Sequence, residues 1–85
     1  MADQREAVAL IDSVSALPAV SVHAADDLAR AKRSLAMADS LFELDQRELA
    51  RMYYLEATVH ARIAVVETET ALLSVDFFEQ SIIPE

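Results

Sequence analysis

The sequence predicts an all-α domain, and three observations carry the prediction. Glycine is absent from all 85 residues, where average usage would supply roughly six. Alanine is the commonest residue, and it is the best helix former. Large apolar residues recur in alternating steps of three and four, while nothing in the central segment alternates with period two over a strand's length. The spacing predicts three helices, at about 3–17, 22–43 and 46–79, folded as an antiparallel bundle built on a long α-hairpin and dimeric. Residues 1–85 then form one helical domain, with 80–85 an irregular tail.

The first helix places Ala7, Leu10, Ile11, Val14 and Leu17 on one face, and Pro18 stops it because proline cannot continue a helix. Residues 18–22 read as a short connector, with Ser21 as N-cap of the second helix and Asp26 and Asp27 early in it, where acidic charge suits the helix dipole. That helix carries Ala24, Leu28, Ala31, Leu35, Ala38 and Phe42, a heptad seam. Asp45, Gln46, Arg47 and Glu48 then have the spacing of a capping box, flanked by Leu44 and Leu49 as a hydrophobic staple.

The seam also runs on in register through Asp45, Leu49, Met52, Glu56, Val59, Ile63, Val66, Thr70, Leu73 and Phe77, with no glycine or proline to interrupt it. One continuous helix over 22–78 in a dimeric coiled coil is therefore the alternative. The hairpin is preferred because the rod would bury Asp45 and Glu56, and a buried charge without a partner is costly. The last helix has a second stripe, Tyr54, Ala57, Ala61, Ala64, Thr68 and Ala71, beside the large-residue seam. Two stripes require two packing partners.

Composition excludes several classes of function. Without glycine there is no phosphate-cradling loop, dinucleotide turn or nucleophile elbow, each of which needs a backbone position free of a Cβ. The formal charge is -8, which disfavours nucleic acid and anionic membranes. The apolar runs at 7–11 and 63–66 are far shorter than the roughly 18 residues of a membrane span. No cysteine is present, so there is neither a disulfide framework nor thiolate chemistry. Residues 1–6, MADQRE, lack the basic and apolar regions of a secretory signal. The chain reads as cytosolic or as a processed mature segment.

Candidate chemistry is sparse. Glu56 and His60 are four apart and share a helix face, but the ferritin-like signature needs Glu and His three apart with further inward carboxylates. They read as an exposed pair, with His60 toward solvent and Ile63 toward the core. His23 reads as solvated, and the serines have no local motif that would activate them. Arg30, Lys32 and Arg33 form a small basic cluster partly offset by Asp26 and Asp27. No catalytic residue, metal ligand or cofactor is expected. The residues expected to carry packing or interface contacts are Leu28, Leu35, Phe42, Leu49, Met52, Val59, Ile63, Val66, Leu73 and Phe77. Tyr53, Tyr54, Phe78, Ile82 and Ile83 form the candidate partner surface.

The runs Asp27-Leu28-Ala29-Arg30-Ala31-Lys32, Glu48-Leu49-Ala50, Leu55-Glu56-Ala57 and Ala61-Arg62-Ile63-Ala64, with an acidic turn between the helices, resemble an alanine-rich helical-hairpin domain of unknown function. That domain is found in bacterial envelope lipoproteins, often ahead of an OmpA-like peptidoglycan-binding domain. The resemblance spans residues 24–71. It implies a non-catalytic periplasmic spacer or adaptor, and it supplies no catalytic residues. The missing signal segment and lipidated cysteine, the turn without glycine and the apolar tail after Val75 are departures from the pattern. The expected function is thus a self-associating helical interaction module, a homodimer that also binds a protein partner. The alternative is a small acidic regulator, of antitoxin or inhibitor type, that occupies a basic protein.

Overall fold

The computed structural model describes the backbone of residues 1–82 and the side chains of those residues other than Ser21 and 74–82. Four helices follow in order: α1 (Ala2–Ser15), α2 (Pro18–His23), α3 (Ala25–Glu43) and α4 (Arg47–Ile82). No strand occurs among the described residues. The molecule measures 63 × 16 × 16 Å, a rod whose long axis is set by α4. At 36 residues that helix is about 54 Å long at 1.5 Å per residue.

Proline 18 ends one helix and begins another. Leu17 takes the extended backbone (φ −89°, ψ 112°) that a following proline favours. Pro18 then occupies the first turn of α2, where its missing N–H would have had no partner in any case. Residues 18–22 are therefore helical rather than the expected connector, and Ser21 lies within α2 instead of capping the next helix. Helix α3 starts after Ala24, which supplies no side-chain cap; Asp26 and Asp27 do fall in its first turn.

The chain breaks between α3 and α4, so 22–78 is not one helix. The physical basis of the break differs from a capping box. Asp45 has φ 60°, the left-handed conformation that ordinarily selects glycine. The Gln46 N–H reaches the Leu41 carbonyl at 2.9 Å and the Asp45 N–H the Phe42 carbonyl at 3.1 Å. That pair of bonds is the Schellman closure of a helix C-terminus. Asp45 thus terminates α3, and its carboxylate pairs in solvent with Arg47 at 3.2 Å. The carbonyl of Gln46 accepts the first α4 bond, from Ala50 at 2.9 Å. Leu44 and Leu49 are both exposed and form no buried staple. At the other end α4 continues through Ile82, so residues 80–82, expected in the tail, are helical. Residues 83–85, including Ile83, lie outside the described residues.

Helices α1 and α3 both pack along α4, and the face they cover decides the core. On α3 the expected seam is the buried one: Ala24, Leu28, Ala31 and Ala38 are buried, with Leu35 and Phe42 partly buried against them. On α1, Ala7, Ile11 and Val14 are buried, while Leu17 is exposed. On α4 the buried face is the small-residue stripe, Ala50, Tyr54, Ala57, Ala61, Ala64 and Thr68. Alanine lets two helices approach a third closely, and Ile11, Val14 and Leu28 supply the bulk from the outer helices.

The resulting core is thin. Among the described residues, eight of the thirteen buried apolar side chains are alanine. Each contributes on the order of one methyl group, roughly 0.8 kcal/mol, against about 1.5–3 kcal/mol for a buried leucine or phenylalanine. Polar contacts supplement it. Arg51 pairs with Asp3 at 2.9 Å and Arg62 with Glu6 at 2.8 Å, tying α1 to α4. Thr58 and Thr68 donate to the carbonyls of Tyr54 and Ala64 one turn back.

Candidate interaction surface

Opposite its alanine face, α4 presents a row of large apolar side chains to solvent. Leu49, Met52, Leu55, Val59, Ile63, Val66, Leu72 and Leu73 are all exposed, from 39% at Ile63 to 69% at Leu73. Leu49, Met52, Val59, Ile63, Val66 and Leu73 belong to the seam that periodicity assigned to packing, and within the chain they are left exposed. In heptad terms the seam occupies a and d, whereas the core of the chain is built on b and f, on the other side of the same cylinder. Ile63 is consequently not a core residue of the chain. Such a patch is larger than the scattered apolar residues that ordinary surfaces carry.

The expected partner tyrosines divide. Tyr54 is buried, its hydroxyl donating to Asp39 Oδ1 at 2.5 Å, and Gln4 Nε2 donates to the same oxygen at 3.1 Å. Burial, that hydrogen bond and the charges of Asp39 and Glu43 push the phenol well above its usual range. Tyr54 therefore locks α3 to α4 and offers no surface. Tyr53 is half-buried against the core. The side chains of Phe77, Phe78 and Ile82 lie outside the described residues.

His60 does not face solvent with Glu56. Its side chain is 22% exposed and sits between two carboxylates, Glu56 Oε1 at 3.5 Å from Nε2 and Asp27 Oδ1 at 3.9 Å from Nδ1. The buried Nδ1 has no hydrogen-bond partner. Asp27 is buried on α3, where it also faces Arg30 at 3.9 Å and Glu67. The hydrogen bond with Asp27, partial desolvation and the Asp27 charge push the Glu67 carboxyl above the usual carboxylate range, with Arg30 opposing. Sequence spacing within one helix cannot find this group, because Asp27 joins it only through the register of α3 against α4.

The concave features include one of ≈ 700 Å³ lined by residues 45–49 at the α3–α4 turn, one of ≈ 380 Å³ lined by residues 22–27, Arg30 and Glu67, and an apolar groove of ≈ 200 Å³ between α2 and α4, lined by Leu17, Pro18, Val20, Val65, Thr68 and Leu72, the last below the roughly 300–1,000 Å³ of small-molecule pockets. No group of three or more His, Cys, Asp or Glu side chains is placed to hold a metal ion among the described residues. Among the same residues no helix is long and apolar enough to cross a membrane.

No curated protein and no solved structure matches the chain. A family match covers residues 2–74, which includes α1, α2, α3 and the greater part of α4. The chain belongs to the family described as "Domain of unknown function (DUF4398)".

Proposed function

We propose that this protein is a helical interaction module that self-associates through the exposed face of α4. The observation that carries the reading is the division of that helix into a buried alanine face and an exposed large-residue face, with Leu49, Met52, Val59, Ile63, Val66 and Leu73 on the latter. A thin core and a large unused apolar face are complementary facts: the surface that would ordinarily stabilise a small chain is reserved for contact between chains. A rod of 63 × 16 × 16 Å suits the spacer role that the resemblance to envelope lipoproteins implies, with a periplasmic location. The module works by holding partners at a fixed distance, and no bond-making step is assigned to it.

Light scattering at micromolar concentration on the wild type and on Val66→Asp tests the reading. The wild type is expected as a dimer, and the variant as a monomer with unchanged helicity, since Val66 is 59% exposed within the chain. A wild type that is monomeric, with a melting temperature independent of concentration, overturns it.

A further inference from the structure

We infer that two copies of this chain meet along α4 in antiparallel orientation, about a two-fold axis level with the peptide between Ala64 and Val65; the inference rests on the self-association just proposed. The exposed seam is long enough for the task. Its exposed side chains run from Leu49 to Leu73, about 36 Å at 1.5 Å per residue.

Orientation follows from the charges on and beside the seam. Glu56 occupies an a position. In a parallel pair it would face Glu56 of the second copy inside the contact, two carboxylates withdrawn from water together. In the antiparallel register Glu56 comes level with Leu73, Ile63 with Val66, and Val59 with Thr70. The flanking positions agree. Arg62 and Glu69 occupy g positions and His60 and Glu67 e positions, so reversal sets Arg62 beside Glu69 of the second copy and His60 beside its Glu67, each within two residues, about 3 Å, of level, and the two-fold axis repeats each pairing. Arg62 and His60 lie on one side of the axis and the acidic pair Glu67 and Glu69 on the other. Reversal of one copy therefore sets Arg62 against Glu69 at two places, unlike charge against unlike.

The intrachain partners leave these groups able to serve. Arg62 holds Glu6 at 2.8 Å but is 65% exposed, and a guanidinium has five N–H donors. Glu69 is exposed beside the seam. Glu67 is likewise exposed beside the seam.

Charge reversal tests the register. Glu69→Arg alone should weaken association about tenfold, even though it reduces the net negative charge that opposes dimerisation, because it sets arginine against Arg62 twice. Arg62→Glu alone should also weaken it. Combining R62E with E69R should restore association to within about threefold of the wild type. Measurement by sedimentation equilibrium, with helicity followed by circular dichroism, separates weakened contact from lost folding. An E69R variant that dimerises like the wild type, or a double variant no tighter than R62E, overturns the register.

Spin labels at Glu48→Cys, an exposed position on a chain with no native cysteine, give an independent readout. The antiparallel pair separates the labels by roughly 50 Å at 1.5 Å per residue. A separation below about 25 Å in a sample that scatters as a dimer overturns this orientation while leaving self-association intact. Absence of coupling in a sample that scatters as a monomer overturns both.

Discussion

Asp45 is the one described residue other than glycine with positive φ, and replacing it by glycine and by threonine separates a helix stop from a helix cap. A left-handed conformation costs an L-residue about 1–2 kcal/mol, with aspartate near the lower end because its short polar side chain tolerates the region. Glycine removes that cost but loses roughly 0.5–1 kcal/mol through the greater freedom of the unfolded chain. It also forfeits the Asp45–Arg47 pair, whose side chains are 85% and 72% exposed, so the loss stays below about 0.5 kcal/mol. Asp45→Gly should therefore lie within about 0.5 kcal/mol of the wild type. Threonine adds a β-branch at a positive φ and should cost about 1–2 kcal/mol relative to glycine. Urea midpoints combined with the slope of the transition give both values. At an N-cap, threonine and glycine are nearly equivalent. Equal stability of the two variants would refute the Schellman account of the turn.

Three further outcomes follow from the packing and charge. Tyr54→Phe removes a hydrogen bond to the charged Asp39 and should lower stability by about 1.5–3 kcal/mol; ultraviolet titration of the wild type should show one of its two tyrosines resisting ionisation until the chain unfolds. Because that phenol's pKa is raised in the folded chain, the unfolded chain releases the proton first and stability should fall as pH rises beyond about 10. Ala61→Leu, at a site with no exposure, should cost about 1–3 kcal/mol by overpacking, whereas Val66→Ala measured at submicromolar concentration should stay within roughly 0.5 kcal/mol; thermal melts that reverse this order contradict the assignment of the alanine face to the core. Glu67 has a raised carboxyl pKa in the folded chain, so its contribution is lost as pH climbs from the unfolded carboxylate value through the folded one. Glu67→Gln should raise the melting temperature at pH 7, leave it unchanged near pH 4, and flatten that part of the pH profile.

Helical class, the number of long helices and the existence of a break near residue 45 were all legible in the sequence. They depend on local chemistry: no glycine, abundant alanine, and apolar residues at steps of three and four. The inward face of α3 was legible for the same reason, since Leu28, Leu35 and Phe42 stand in a single stripe with nothing to compete. What the sequence left open was which of two stripes on α4 faces the chain's own core. Periodicity reports that both are apolar, and size argued for the large one; the structure buries the small one because α1 and α3 must approach α4 on the same side, and only alanine admits both.

The same limit explains the remaining differences. The spacing at residues 45–48 fits a cap for α4, yet the direction in which the chain turns depends on where α3 must lie, and that turn requires a left-handed residue at Asp45. His60 paired by spacing with Glu56, a neighbour on its own helix, while Asp27 became its second neighbour only when α3 docked. Local sequence thus determined what each segment would become, and tertiary packing determined which face of α4 remained exposed, because the burial of a helix face depends on which neighbours can reach it.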